Sequence, residues 1–310
     1  MMLAIEFGSG RRGDGDLTSD RDLLLIGSDW EEITSESARK SAEGFSISAF
    51  LFDKASYLVS NGSLFFKHIC DEGVLVSGSK DRYLTLIAGW QAASDYRDEV
   101  RENLDLLEVI HFIPQSTVGV VAVVDILISS VRNILIRRLA CSGEFVFSWS
   151  QVFAEATKRQ MIKEGDVQLF LTARHIKNKY RQGCIPSLPS WYLEALLDAA
   201  NRACGVTLKP RFAPRVELRS LPERFTDGSY KQLRALELMC AEYSFDRALD
   251  RLICLIRHPA YFCANGPNTS LQGTPGKRGA PEQDHLTRTP LNSTLYTTTS
   301  RVTLNATIRI

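Results

Sequence analysis

The sequence predicts an α+β protein in three parts: a small mixed sheet with helices, then an all-α helical bundle, then a disordered tail. Three observations lead there. From Leu3 to about Gly78, short apolar runs alternate with clusters of turn-forming residues. From about Tyr83 the apolar residues recur at helical spacing. From Pro259 to Ile310 the chain turns to Thr, Asn, Gly, Pro and Ser with no sustained period, a composition that offers no core to bury. The expected divisions are therefore 1–80, 81–258 and 259–310.

A chain of 310 residues has room for two cores. Its formal net charge of +1 gives no bulk electrostatic reason to expect a nucleic-acid or membrane partner. The seven cysteines are scattered, without the close pairs that build zinc sites, and read as reduced thiols of a cytoplasmic protein. Met1 to Phe7 lacks the basic leader of a signal peptide.

Leu3 to Phe7 is the first expected strand, Gly8 to Ser19 a polar loop, and Leu23 to Ile26 the core of a second strand. Strand side chains alternate, so Asp20 and Asp22 point to the same side. Two carboxylates on one rigid face, beside a Gly-Ser turn, suit hard divalent cations holding a nucleoside triphosphate. The same glycines satisfy a dinucleotide fingerprint, Gly8-x-Gly10-x-x-Gly13. That fingerprint must open a helix, whereas here turn formers lead into a strand. Asp14 and Asp16 lie among loop glycines and read as a solvated turn.

Ser28 to Glu31 has capping-box spacing and starts a helix running to about Lys40; Gly44 ends it. Phe45 to Phe52 is the next strand, Ser63 to Cys70 a helix, and Val74 to Ser77 a short strand. His68, a lone imidazole on an amphipathic helix, reads as structural. Val118 to Val131 is the most apolar stretch, but about 14 residues with Asp125 among them fall short of a bilayer span of about 20. It reads as the buried central helix of the bundle, with Arg132, Arg137 and Arg138 at a solvated end. Two helices follow, split at Gly165, and Arg174, Lys177 and Arg181 form a basic stripe on the second. The stripe reads as an exposed face, with a phosphate or anionic-acceptor contact as the alternative. Ser190 to Cys204 is a further helix, and two more carry apolar faces from Leu233 to Tyr243 and from Phe245 to Ile256.

Phe7, Gly8, Ser9, Arg12, Gly13, Ser19, Asp20 and Asp22 fall in the order and spacing of a known signature. In that respect the chain resembles the DNA polymerase beta-type nucleotidyltransferase superfamily, as a bacterial nucleotidyltransferase domain with a helical domain after it. The resemblance covers roughly the first quarter of the chain. It implies that Asp20 and Asp22 are catalytic and hold Mg²⁺ or Mn²⁺, and that Gly8, Ser9, Arg12 and Ser19 bind the nucleotide. It further implies an NTP substrate and an acceptor hydroxyl on a small molecule or protein. Members of this kind carry a third carboxylate early in the strand that here begins at Phe45. The matching place holds Ser46, with Ser48 on the same face, and a hydroxyl does not replace an anionic ligand. Asp53, the nearest acid, has the opposite strand parity. Two alternatives therefore stand beside the enzyme: a catalytically impaired member that binds a nucleotide or partner protein, and an antitoxin-type transferase acting on a toxin.

Overall fold

The computed structural model describes residues 2–8, 21–113 and 116–212, together with Lys231, Arg234, Ala235, Glu237 and Leu238. The tail expected after Pro259, most of the two helices expected between Leu233 and Ile256, and the loop from Ser9 to Asp20 lie outside the described residues.

Strand β1 (Met2–Phe7) runs down the inside of a four-stranded mixed sheet, antiparallel to β2 (Arg21–Gly27) on one side and to the short edge strand β4 (Val74–Ser77) on the other. The sheet order is β3-β2-β1-β4, and β3 (Phe45–Leu51) pairs parallel with β2. A parallel pair needs a crossover, and helix α1 (Trp30–Ala42) provides it. Asp29 caps that helix: its Oδ1 accepts from the Glu31 N–H at 2.8 Å.

Alternation along the strands divides the apolar residues between two layers. Leu3, Ile5, Phe7, Leu24 and Ile26 face helices α2 (Phe52–Ser60), α3 (Leu64–Glu72) and α4 (Lys80–Ala88). Ala4, Leu23, Leu25 and Phe45 face Ile33 of α1. The strand expected over Phe45 to Phe52 stops at Leu51 and passes directly into α2, with no turn signal between them. Asp53 thus sits in the first turn of α2, exposed, and strand parity does not govern it. Helix α4 still belongs to the first layer: Tyr83 and Leu86 enter its core, and the Tyr83 hydroxyl donates to the Gly73 carbonyl at 2.9 Å.

The second core is built on α5 (Arg97–Leu107), α6 (Thr117–Cys141), α7 (Trp149–Lys158), α8 (Glu164–Arg181) and α9 (Ser190–Cys204). A two-residue parallel pairing, β5 (Phe112–Ile113) with β6 (Arg211–Phe212), departs from the expected all-α bundle; two residues are too few to show a period. Among the described residues α6 is the one helix long and apolar enough to cross a bilayer, with a mean hydropathy of 1.9 over its most apolar window. Yet 78% of that window is buried against the surrounding helices, as expected of the bundle's central helix. The break between α7 and α8 falls over Arg159–Lys163, where Gln160 takes a φ of 59°, so Gly165 lies inside α8.

The two cores meet along a joined surface. Trp90 Nε1 donates to the Ser63 carbonyl and the Tyr96 hydroxyl to the Gly62 carbonyl, both at 2.9 Å. Leu64, at the start of α3, is counted in the bundle's core rather than the sheet's.

Candidate functional site

Strand β1 ends at Phe7, and Gly8 turns the chain with a φ of +85°, a conformation glycine adopts without penalty. A Cβ at Gly8 would lie 2.5 Å from Asp22 Oδ2, so only glycine lets the backbone pass this close to the carboxylate. Sheet register sets Phe7 opposite Asp22 and Asp22 beside Ser46. Side chains of directly paired residues share a face, so all three lie on the face covered by α2 to α4. Asp22 is only 2% exposed, while Ser46 and Ser48 are half-buried. Arg21 turns to the opposite face, where its guanidinium lies 3.9 Å from the Phe45 ring centroid.

The bundle meets this layer at His68. His68 of α3 stands edge-on to Phe7, with ring centroids 5.5 Å apart, and its Nε2 lies 2.9 Å from Glu72 Oε2. On its other side it stacks on Phe147 at 4.8 Å. His68 is thus the structural histidine expected, and it is also a bridge between the two cores. The Phe147 carbonyl accepts from Arg132 Nη2, and the Arg132 guanidinium lies 5.1 Å from the centroid of Trp149. Arg174 and Lys177 of α8 approach the same ring at 5.5 Å each.

Several arginines are placed otherwise than expected. Arg132, Arg137 and Arg138 are not a solvated helix end: α6 continues past them to Cys141. Arg138 donates to the carbonyls of Ala203 and Cys204 at 2.7 Å each, satisfying the end of α9, and Arg137 pairs with Glu99 at 3.0 Å. The stripe of Arg174, Lys177 and Arg181 faces inward, half-buried. Arg181 holds Asp125 of α6 at 3.0 Å, and Arg234 reaches the same carboxylate at 2.9 Å. Burial alone would raise the Asp125 pKa; Arg181, Arg234 and Lys177 overcome it and hold the carboxyl well below its ordinary range.

Of the residues the sequence nominates, the structure brings Gly8 and Asp22 into contact and sets Ser46 beside them. Ser9, Arg12, Ser19 and Asp20 lie outside the described residues. Among the described residues no group of three or more His, Cys, Asp or Glu is placed to hold a metal ion. Asp22 fits as one anionic ligand of a hard divalent cation, held in a cradle that a Cβ at position 8 would fill. Ser46 occupies the neighbouring strand position with a neutral oxygen. Sequence reasoning missed Phe147 and Trp149; the aromatic spacing Phe145, Phe147, Trp149 before a helix start was the available signal.

Compared with family models, curated proteins and solved structures, the chain matches none.

Proposed function

We propose that the chain is a metal-dependent nucleotidyltransferase of the polymerase beta type, moving a nucleoside monophosphate from an NTP to an acceptor hydroxyl on a small molecule or protein. The observation that carries this reading is the close pass of Gly8 over the buried Asp22 carboxylate at one end of the mixed sheet. In this reading the Gly8-Ser9 backbone and Ser19 hold phosphate oxygens, Arg12 offsets triphosphate charge, and Asp20 and Asp22 present carboxylates toward the phosphates. Mg²⁺ or Mn²⁺, when bound there, supplies Lewis-acid polarisation of the α-phosphoryl group and charge neutralisation on the leaving pyrophosphate. The bundle wall beyond His68 and Phe147 orients the acceptor. A cytoplasmic location goes with this reading, since NTPs are abundant there; the free thiols of Cys70, Cys141, Cys184 and Cys204 suit such a compartment.

Ser46 favours a second reading. The register sets this residue beside Asp22, at the position where the resemblance implies an acid to take the acceptor's proton, and a serine hydroxyl is a poor base at neutral pH. The chain then binds NTP and metal, but transfers slowly or not at all. Incubation of the purified protein with each labelled NTP, Mg²⁺ or Mn²⁺, and hydroxyl acceptors separates the two. Labelled acceptor supports the transferase; metal-dependent retention of NTP without transfer supports the impaired member; neither result would remove both.

A further inference from the structure

Ser46 is the second residue of β3, an edge strand of the mixed sheet. The parallel register sets it directly beside Asp22, whose antiparallel partner is Phe7. It therefore stands at the end of the sheet where Gly8 carries the backbone past the Asp22 carboxylate. Neighbouring strands lie about 4.8 Å apart, and residues paired in register share a face, so the serine hydroxyl is an immediate neighbour of that buried carboxylate. Ser46 is itself half-buried, and among the described residues its hydroxyl has no hydrogen-bond partner. Ser48 lies on the same face, about 6.6 Å farther along the strand and beside Leu24. Among the described residues no strand pairs with the outer side of β3, so a group attached at its start does not meet a neighbouring strand.

We infer that Ser46 is a self-modification site: its own hydroxyl accepts the nucleoside monophosphate when no other acceptor is present. This rests on the transferase reading above. In the step, Ser46 Oγ attacks the α-phosphorus of a nucleoside triphosphate and forms a new O–P bond. The bond from that phosphorus to the bridging oxygen breaks, pyrophosphate leaves with the electron pair, and the hydroxyl proton passes to water at the half-buried side chain. Nothing is oxidised or reduced, and the product is a phosphodiester joining the serine to the nucleoside. A hydroxyl fixed by strand pairing competes with free acceptors because its ordering cost is already met in the fold. With no carboxylate at position 46 to take the proton, the step is slow. It happens once per chain, and it leaves a phosphodiester anion beside Asp22, where like charges repel a second nucleotide.

The full-length protein is incubated with Mn²⁺ and each nucleoside triphosphate labelled at the α-phosphate, without any added acceptor. After denaturation, intact mass and peptide mapping read the product, while calorimetry reads NTP binding separately. The expected result is a single nucleoside monophosphate per chain on Ser46, formed at a rate independent of protein concentration and stable to hydroxylamine. Ser46→Ala loses the adduct, Ser46→Thr retains a hydroxyl and takes it, and Ser48→Ala takes it as wild type does. Mn²⁺ titrated alone should bind Ser46→Asp more tightly than wild type, a readout that needs no turnover; equal affinity would remove Ser46 from the site. NTP binding with no adduct, an adduct that persists in Ser46→Ala, or one that hydroxylamine releases from a carboxylate would overturn self-modification while leaving the transferase reading standing. A rate that rises with protein concentration would overturn attack within the chain, and no NTP binding at all would remove both.

Discussion

Gly8 and Asp22 carry the functional argument at the scale of single residues, and two substitutions test it there. Gly8→Ala meets two obstacles at once: a φ of +85°, which costs an L residue about 1–2 kcal/mol, and a new Cβ 2.5 Å from Asp22 Oδ2. The fold should survive with a modestly lower melting temperature, while metal-dependent NTP affinity drops by a larger factor because the carboxylate is pushed aside. Thermal unfolding alongside calorimetry compares the two losses; a variant that melts lower but binds normally contradicts the cradle. Ser46→Asp places a second carboxylate beside Asp22, in the register the sheet already provides. It should raise metal affinity and the transfer rate, and lower metal-free stability through like-charge repulsion. A fast wild type made slower by the change would show that position 46 is not the third ligand. Strand alternation in the sequence put Ser46 and Ser48 on one face, and the register sets Ser46 beside Asp22; Ser9 and Asp20 lie outside the described residues. The contact of Gly8 with Asp22 was not legible in the sequence, since it depends on how the chain crosses between β1 and β2.

At the scale of elements, α6 is held in the bundle by charge as well as by apolar packing. Asp125 is 1% exposed and accepts hydrogen bonds from Arg181 of α8 and from Arg234. Asp125→Asn removes the carboxylate shared by Arg181 and Arg234, although Arg234 keeps Glu237 at 2.7 Å; breaking a buried pair in this way costs about 3–5 kcal/mol. Denaturant unfolding at neutral pH should show that loss. The pKa of Asp125 is depressed in the folded protein, so its stabilisation is fully present above its ordinary value of 3.8 and is lost as the pH falls below it. The stability gap between wild type and Asp125→Asn should therefore close in acid; a gap independent of pH would contradict the ion pairing. Glu237 works the other way: burial raises its pKa, so protonation as the pH falls toward its ordinary range relieves a penalty. Helical spacing in the sequence showed that Arg174, Lys177 and Arg181 share a face, but not what that face meets. A basic stripe looks the same whether it faces water or a neighbouring helix, which is why an exposed face was expected where a half-buried one was found.

For the whole molecule, the sequence's pattern changes near residue 80, but Tyr83 and Leu86 pack into the sheet's core and Leu64 into the bundle's, and the junction of the two cores was hidden in isolated aromatic residues. Trp90 and His68 reach across it through ring contacts with Phe145 and Phe147, and Tyr96 through its hydrogen bond to Gly62, and a single residue leaves no periodic trace. Tyr96→Phe removes the hydroxyl that donates to Gly62 and accepts from the Ala93 N–H at 3.1 Å. Leaving those groups unpaired costs about 1–3 kcal/mol and should lower the melting temperature of both cores together, as a single calorimetric transition. Two truncations examine the other end of the chain. Ending at residue 258 should leave the melting temperature unchanged, because the composition after it offers no apolar face. Ending before Lys231 should lower it, because Leu238 is fully buried in the bundle core and Arg234 is paired with Asp125. In the proposed function Asp22, under Gly8, anchors a metal-bound nucleotide. Calorimetric titration of ATP with Mn²⁺ into wild type and Asp22→Asn tests it most directly, since the substitution keeps the side-chain volume and removes the charge. Saturable binding in wild type that needs the metal and disappears in Asp22→Asn at an unchanged melting temperature is expected; equal affinity in the two proteins, or no binding in either, would contradict the role of Asp22.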